Sequence, residues 1–244
     1  MKQALVLGAT SDIAKFISLG LAKRGYNLHL TGRNIDLLTT YSKDIETKYP
    51  VKITNFFLDI TNFESHKDFY ESLSPKPELI VCCIGYYEDQ TLASKNLSEL
   101  LITININYTG ILNIINIISN EFQKLQSGKI VVLSSVAGVR GRQLNYIYGS
   151  TKAGLTTYLS GLRNRLFSYK VSITTVLLGP VYTKMSEGHN LLPILTLKPE
   201  MAAEKIINAG LKGKGEVYIY WPWQFIMLFI KMIPEFIFKR LPPF

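Results

Sequence analysis

The 244-residue chain is long enough for one α/β domain with a full core, and no internal repeat or low-complexity tract indicates more. Its 27 basic and 18 acidic residues give a net charge of +9, which favours anionic partners such as a phosphorylated cofactor or an acidic membrane surface. The basic residues are scattered and no aromatic-basic motif occurs, so nucleic acid is not an expected partner.

The cellular compartment is predicted from the cysteines and the first residues. Cys82 and Cys83 are adjacent in an apolar run, which is typical of reduced core residues and not of a disulfide. The first strand follows Met1 so closely that no signal peptide is expected. We therefore expect a cytoplasmic protein.

The first strand is predicted at 3–7, and a turn from Gly8 leads into a helix that ends near Lys23. Such a turn presents backbone N–H groups and the positive end of a helix dipole, which together bind a pyrophosphate. Asp12 would bring a carboxylate close to that pyrophosphate, so we expect it to cap the helix instead. A plain strand-to-helix turn is the alternative.

The second strand is predicted at 27–31 and is followed by Arg33. An acidic residue at this place binds the ribose hydroxyl of NAD, whereas an arginine accommodates the 2′-phosphate of NADP. No acidic residue occurs between Leu28 and Asn34, so Arg33 predicts NADP(H), with NAD(H) less favoured. A solvated loop arginine is the alternative.

A helix near 37–49 precedes the third strand, 52–58, which ends at Asp59. This aspartate can cap the next helix. The fourth strand, 79–84, ends at Gly85, where the missing side chain lets the backbone approach a cofactor.

A long helical stretch, 97–125, leads to a strand at 130–133 and to Ser135 at its carboxyl end, where ligands bind in open parallel sheets. Tyr148 and Lys152 are four residues apart and so share one helix face. An ammonium beside a phenol lowers the phenol pKa toward neutrality, and a serine hydroxyl polarises a carbonyl. The three side chains suit carbonyl reduction or its reverse, whereas Tyr-x-x-x-Lys alone indicates only an exposed pair.

Together with the Leu-Ser-Ser-Val-Ala-Gly strand end and the glycine turn, these motifs resemble the short-chain dehydrogenase/reductase family over roughly 2–217. The resemblance implies a Rossmann-like, doubly wound parallel sheet in a domain over 1–220. It implies that Ser135 orients the carbonyl, that Tyr148 is the general acid/base, and that Lys152 lowers the tyrosine pKa and holds the nicotinamide ribose.

Further implications of the resemblance concern the relay, the cofactor and the assembly. Asn107, with Asn105 as the competing candidate, would support a proton relay behind the lysine. A dimer or tetramer that assembles through the long helices is expected. No metal site is expected. The resemblance also places Asp59 at the adenine ring of the cofactor, instead of or in addition to its capping role. The implied cofactor contacts are Gly8, Thr10, Ser11, Asp12, Ile13, Arg33, Asp59, Ile60, Gly85, Tyr148, Lys152, Val181 and Thr183.

The chain from Gly154 onward continues the strand and helix alternation. We predict a helix at 154–169, a strand at 172–177, a substrate-covering loop at 184–198, a helix at 199–210 and a strand at 216–220. His189 lies in the loop and is predicted to be an exposed residue and not a catalyst.

The last segment, 221–244, departs from the preceding domain in composition. Lys231 and Pro234 interrupt its apolar run, so it is shorter than the about 20 apolar residues of a membrane span. Two tryptophans, a rich apolar face and basic residues favour an amphipathic helix in the lipid headgroup region. Packing across a partner subunit or over the chain's own substrate cleft is the alternative. The segment also resembles the tail of decaprenylphosphoryl-2-keto-pentose reductases.

The sequence therefore predicts an NADPH-dependent carbonyl reductase acting on a lipid-linked or amphiphilic ketone, such as a polyprenyl-phosphate keto-sugar or a long-chain 3-keto lipid. It would work in the cytoplasm, in peripheral contact with the inner face of a membrane. A cytosolic reductase of a small ketone or keto-acyl group is one alternative. A cofactor-binding scaffold without turnover is the other.

Overall fold

The computed structural model describes residues 2–188 and 191–242 of the chain. Within them, seven parallel strands form one sheet in the order β3-β2-β1-β4-β5-β6-β7, with helices on both faces. The strands are β1 Gln3–Leu7, β2 Asn27–Gly32, β3 Ile53–Phe57, β4 Leu79–Cys82, β5 Gly128–Ser135, β6 Val171–Leu178 and β7 Glu216–Tyr218. The α-helices are α1 Asp12–Ala22, α2 Ile35–Glu46, α3 Ser65–Ser72, α4 Gln90–Lys95, α5 Leu97–Ile104, α6 Gly110–Leu125, α7 Tyr146–Leu166, α8 Pro199–Leu211, α9 Pro222–Met232 and α10 Glu235–Phe238. The predicted Rossmann-like single-domain fold is confirmed.

The central strands β1, β4 and β5 are buried between two apolar clusters, which explains why each contains a continuous apolar run. On one face α1 and α8 contribute Ile17, Leu21 and Ile206. On the other face α6 and α7 contribute Ile111 and Leu155. This arrangement holds the loops at the carboxyl ends of the strands on a rigid base.

The chain leaves β1 and β3 toward opposite faces of the sheet. The helix after β1 packs in the first cluster through Ile17, and the helix after β3 packs in the second through Tyr70. The strand order therefore reverses between the adjacent strands β1 and β4. A crevice opens at such a reversal, beside the carboxyl ends of the strands.

Among the described residues, one helical run, Leu97–Leu125, is long and apolar enough to cross a membrane by length and composition alone. It comprises α5, a π-helical turn at Asn105–Thr109, and α6. Four isoleucines on its inner side, at 111, 114, 115 and 118, are fully buried against the sheet. The run therefore packs as a core helix on this side, and its π-helical turn is a local departure from the predicted continuous helix.

The start of α7 was predicted too late. The apolar pattern begins at Gly154, but the helix begins at Tyr146, so Tyr148 and Lys152 lie on its first turns. The intervening tyrosines, serine and threonine are weak helix formers, and packing overrides their preference. Ile147 is buried, and a Cβ added to Gly149 would lie 2.8 Å from the Ala137 carbonyl oxygen.

The C-terminal segment forms α9 and α10, and its inner side packs on the chain's own sheet. Met227 is fully buried and joins Ile230, Val136 and Leu177 in a small apolar cluster. The Trp223 indole N–H donates to the Leu195 carbonyl at 2.9 Å. The sequence left three placements open for this segment: a lipid surface, a partner subunit or the chain's own cleft. The structure shows contact with the chain's own cleft, and the outer side of α9 is exposed.

Candidate active site

A cleft follows the carboxyl ends of β1, β4, β5 and β6 in three connected parts. The inner part, about 190 Å³, includes Arg33 and Asp59, and the middle part, about 290 Å³, includes Lys152. The outer part, about 330 Å³, includes Ser135. The inner and middle parts share Gly85, and the middle and outer parts share Tyr148. Such a shape accommodates an extended ligand with a second molecule at its outer end.

The turn after β1 supplies the close approach that a pyrophosphate requires. Gly8 has a φ of +75°, and an added Cβ would lie 2.9 Å from Ile84 Cγ1, so only glycine fits without displacing the segment that follows β4. The Ser11 side chain accepts a hydrogen bond from the Ala14 backbone N–H at 3.3 Å and caps α1. Thr10 and Ser11 line both the inner and the middle parts of the cleft. The turn therefore fits the phosphates of a dinucleotide.

The expectation that Asp12 caps α1 is wrong, because Ser11 takes that place and Asp12 is the first helical residue. The Asp12 carboxylate accepts a hydrogen bond from the Lys184 backbone N–H at 2.7 Å. Asp12 and Ile13 line the middle part of the cleft. The carboxylate thus ties the loop after β6 to the glycine turn, and Lys184 also lines the middle part of the cleft.

The inner end of the cleft combines one cation and one carboxylate. Arg33, after β2, is exposed and lies close enough to Asp59 to help lower the pKa of that carboxyl. The larger cause is the pair of hydrogen bonds that Asp59 accepts from the Thr61 N–H and hydroxyl, at 2.9 and 2.7 Å. Asp59 therefore stabilises a turn and does not cap α3, whose N-cap is Glu64. Ile60 lines the same end.

Ser134 and Ser135 end β5 with different partners. The Ser134 hydroxyl bonds to the Lys152 carbonyl at 3.2 Å and to the Thr156 hydroxyl at 2.8 Å, and so fastens the strand to α7. The Ser135 hydroxyl accepts from the Ala137 N–H at 3.1 Å and donates to the Leu178 carbonyl over a long 3.4 Å. Because the bond to Leu178 is weak, the Ser135 hydroxyl can donate its proton instead to a stronger acceptor in the outer cavity.

Tyr148 lies where the middle and outer parts of the cleft meet. Burial raises the pKa of its phenol to about 12, a hydrogen bond with Ser135 lowers it, and the neighbouring Tyr87 raises it. The Tyr87 and Tyr148 rings meet edge to face with centroids 5.4 Å apart. The predicted fall of this pKa toward neutrality is therefore not what the geometry produces, and the phenol keeps its proton at neutral pH.

Lys152 is only 2% exposed and reaches toward both the tyrosine and the end of β4. Its Nζ lies 5.6 Å from the centroid of the Tyr148 ring and donates to the Leu133 carbonyl at 3.4 Å. Burial lowers the pKa of this ammonium to about 8. Lys152 is consequently a cation at neutral pH that loses its charge within a modest rise of pH.

The π-helical turn places Asn107 behind Gly85. The Asn107 side chain is fully buried, accepts from the Tyr86 N–H at 2.9 Å and donates to the Tyr86 carbonyl at 2.7 Å. A Cβ added at Gly85 would lie 3.7 Å from Asn107 Oδ1 and 3.8 Å from Lys152 Nζ, so the glycine separates the two groups. Asn107, and not Asn105, is therefore the asparagine beside the lysine, and its relay role remains a prediction.

The loop after β6 supplies Val181 and Thr183, which both line the outer cavity, and Thr183 also lines the middle part. The Thr183 N–H donates to the Ser186 hydroxyl at 3.0 Å, which fixes the start of the predicted substrate-covering loop. His189, predicted to be an exposed loop residue, lies outside the described residues.

Three further residues line the outer cavity and were not predicted as site residues, namely Tyr87, Arg142 and Trp223. Arg142 lies between Ser135 and Tyr148 in the chain, so its place in the loop before α7 was a usable signal. Tyr87 and Trp223 come from distant segments whose approach depends on the packing of the whole sheet.

Comparisons with known proteins agree with this geometry. A family model described as short chain dehydrogenase matches residues 2–191. An uncharacterized oxidoreductase of Mycobacterium tuberculosis is 27% identical over 241 residues, covering 98% of this chain and 96% of the relative. An uncharacterized oxidoreductase of Streptomyces coelicolor is 28% identical with the same coverages. Among solved structures, a short-chain dehydrogenase from Sphingobium yanoikuyae in complex with NADPH has a TM-score of 0.83 at 16% identity, covering 96% of this chain and 97% of that chain.

Proposed function

Because the chain belongs to the short-chain dehydrogenase/reductase family of NAD(P)-dependent oxidoreductases, we propose that it reduces a lipid-linked or amphiphilic ketone with NADPH. The observation that carries this proposal is the meeting of Ser135 and Tyr148 at the junction between a dinucleotide-shaped cleft and an outer cavity. A ketone in the outer cavity would present its oxygen to both hydroxyls.

The residues divide the chemistry among them. When bound, NADPH supplies the hydride. The Ser135 hydroxyl can exchange its long bond to Leu178 for a bond to the ketone oxygen and so polarise the carbonyl. Tyr148 keeps its proton at neutral pH, because its pKa is raised to about 12, and can give it to the oxygen as negative charge develops. Lys152 supplies the positive charge beside the phenol. A protonated phenol favours reduction over oxidation.

The choice of NADPH is supported by Arg33 at the inner end of the cleft. A guanidinium there can bind the 2′-phosphate with charge-assisted hydrogen bonds, whereas the Asp59 carboxylate in the same part of the cleft accepts hydrogen bonds from Thr61. The NADPH in the similar Sphingobium yanoikuyae structure agrees with this choice.

The amphiphilic substrate is supported by the C-terminal segment. Trp223 lines the outer cavity from within α9, while the outer side of that helix exposes Phe225, Phe229 and Met232. Lys231 lies on the same helix, and Lys239 and Arg240 follow it. An apolar face with basic neighbours can lie on an acidic lipid surface and bring the cavity to a polyprenyl-phosphate keto-sugar or a long-chain 3-keto lipid.

The proposed setting is the cytoplasm, with peripheral contact at the inner face of a membrane. A homodimer or homotetramer through the long helices is supported by Leu97 and Leu101, which α5 exposes to solvent. Nucleic acid is not a proposed partner.

The test is an assay of NADPH oxidation against soluble and lipid-linked ketones, with Tyr148→Phe as the paired variant. We expect turnover with an amphiphilic ketone and a loss of about 100-fold or more in the variant, because general acid catalysis contributes about that factor. NADPH affinity should stay unchanged. Turnover of small ketones alone would support the small-substrate alternative, and no turnover with intact NADPH binding would support a scaffold.

A further inference from the structure

We propose that the outer cavity contains an anion-binding subsite at Arg142, flanked by the Asn145 side-chain amide, and that the ketone substrate carries a phosphate or carboxylate group close to its carbonyl. This inference rests on the proposed function in taking the outer cavity as the ketone site. It adds a chemical requirement that the reaction itself does not impose.

The first observation is the charge of the cavity wall. Arg142 is the sole charged side chain among the described residues that line the outer cavity. Most of the remaining wall is apolar or aromatic, including Leu144, Met185, Leu191 and Trp223. A guanidinium on such a wall is weakly hydrated and binds an anionic oxygen strongly.

The second observation is the partial burial of that guanidinium. Burial lowers the pKa of Arg142, and the Tyr87 hydroxyl nearby acts in the opposite direction. Arginine nevertheless remains protonated in proteins, so the wall holds a permanent positive charge in a poorly solvated place. An incoming anion would offset the cost of that burial.

The third observation is a polar atom beside it. Asn145 Oδ1 is buried, and among the described residues it has no hydrogen-bond partner. Asn145 lines the same cavity, and its backbone N–H donates to the Arg142 carbonyl at 3.1 Å, so the two residues form one turn before α7. A buried orphan amide is costly and is normally satisfied by a ligand or water. A hydroxyl next to the anionic group would satisfy it.

The position of the subsite relates the anion to the reacting carbonyl. Arg142 lies beside Tyr87, whose ring contacts the ring of Tyr148. The anionic group would therefore lie one aromatic side chain away from the proton donor. A neutral ketone of the same size would lack this anchor and would be poorly oriented.

The experiment measures binding to the NADPH-loaded protein, so that cofactor phosphates already occupy their own site. Octyl phosphate, octanoate and octyl glucoside are titrated by calorimetry below the concentrations at which they form micelles. Arg142→Gln should weaken octyl phosphate or octanoate by about tenfold or more and leave octyl glucoside within about twofold. Arg142→Lys keeps the positive charge, so it should lose less affinity for the two anions than Arg142→Gln does. Lys231→Gln, which removes an exposed cation outside the cavity, should change none of the three.

If Arg142→Gln loses affinity for octyl phosphate alone, the subsite binds phosphate groups. If it loses affinity for both anions, the subsite accepts either a phosphate or a carboxylate. The subsite would be overturned if Arg142→Gln bound both anions as tightly as the wild-type protein does. It would also be overturned if the variant lost as much affinity for octyl glucoside as for the anions. Failure of the wild-type protein to reduce any ketone, with Arg142-dependent anion binding retained, would refute the reductase and not the subsite.

Discussion

At the scale of single residues, the site depends on where charges are buried. The Lys152 Nζ lies 5.6 Å from the centroid of the Tyr148 ring, yet burial shifts the pKa values of the two groups in opposite directions. It lowers the pKa of the ammonium to about 8 and raises that of the phenol to about 12, because a poorly solvated place disfavours the charged form of each group. Both groups therefore carry their proton at neutral pH, which suits a proton donor and a supporting cation.

The pH dependence of reduction should follow Lys152. Its positive charge is present below a pH of about 8 and is lost as the pH rises through that value, whereas Tyr148 remains protonated throughout. We expect kcat/KM for reduction to be flat near neutrality and to fall about tenfold per unit at higher pH, since kcat/KM reports the free enzyme. A Lys152→Arg variant with residual activity should lack this fall. A descending limb that persists in that variant would exclude Lys152 as its origin.

Cofactor choice should follow Arg33. Arg33→Gln removes the charge available to the 2′-phosphate, so KM for NADPH should rise about ten- to a hundredfold, the loss typical of a hydrogen bond to a charged group. KM for NADH should stay within about twofold, because NADH lacks that phosphate. Steady-state kinetics with both cofactors measures this difference, and an equal rise for the two would show that Arg33 acts on the fold of the loop.

At the scale of elements, Arg140 joins the loop before α7 to the C-terminal helices through hydrogen bonds. Arg140 donates to the carbonyls of Ile230 and Ile233 at 2.7 and 2.5 Å, where α9 ends, and pairs with Glu235 at 3.0 Å. Its guanidinium also lies 3.7 Å from the centroid of the Phe238 ring. The last carbonyls of a helix have no partner within the helix, so Arg140 caps α9 from the active-site side.

Replacement of Arg140 by alanine should loosen α9 and α10. We expect the free energy of unfolding to fall by about 2 kcal/mol, since partly buried hydrogen bonds from a charged group are lost. Hydrogen exchange should quicken over 222–242. Glu235→Gln is the matched control, because Glu235 is 78% exposed and its ion pair should contribute under about 1 kcal/mol. Equal effects of the two changes would contradict a capping role for Arg140.

At the scale of the whole molecule, apolar side chains are exposed on the same edge as the cleft. Phe229 and Met232 on α9 are 70% and 72% exposed. Deleting the tail after Tyr220 would also remove Met227 from the core and uncover Val136 and Leu177, so a truncation confounds folding with membrane binding. Substitutions on the outer side of α9 avoid that problem.

The lipid contact is therefore tested by the double variant Phe229→Glu with Met232→Glu. We expect the wild-type protein to float with vesicles that contain acidic lipid, and the double variant to remain in the dense fraction with its NADPH binding unchanged. Phe167→Glu is the control, because Phe167 is 84% exposed near the amino-terminal edge of β6. Flotation of the double variant would show that this face does not bind lipid.

The sequence by itself determined the features that depend on short segments. Apolar runs identified most of the strands, and the residue types and spacing of Ser135, Tyr148 and Lys152, together with the family resemblance, indicated the parallel sheet and the chemistry. Only the tertiary structure decided that Ser11 and not Asp12 caps α1, that α7 begins at Tyr146, and that burial raises the pKa of Tyr148. These outcomes depend on groups far apart in the chain, such as the Lys184 N–H on Asp12, which no local pattern encodes. For the same reason, the walls of the outer cavity, with Arg142 and Trp223, became visible only once the whole sheet was packed.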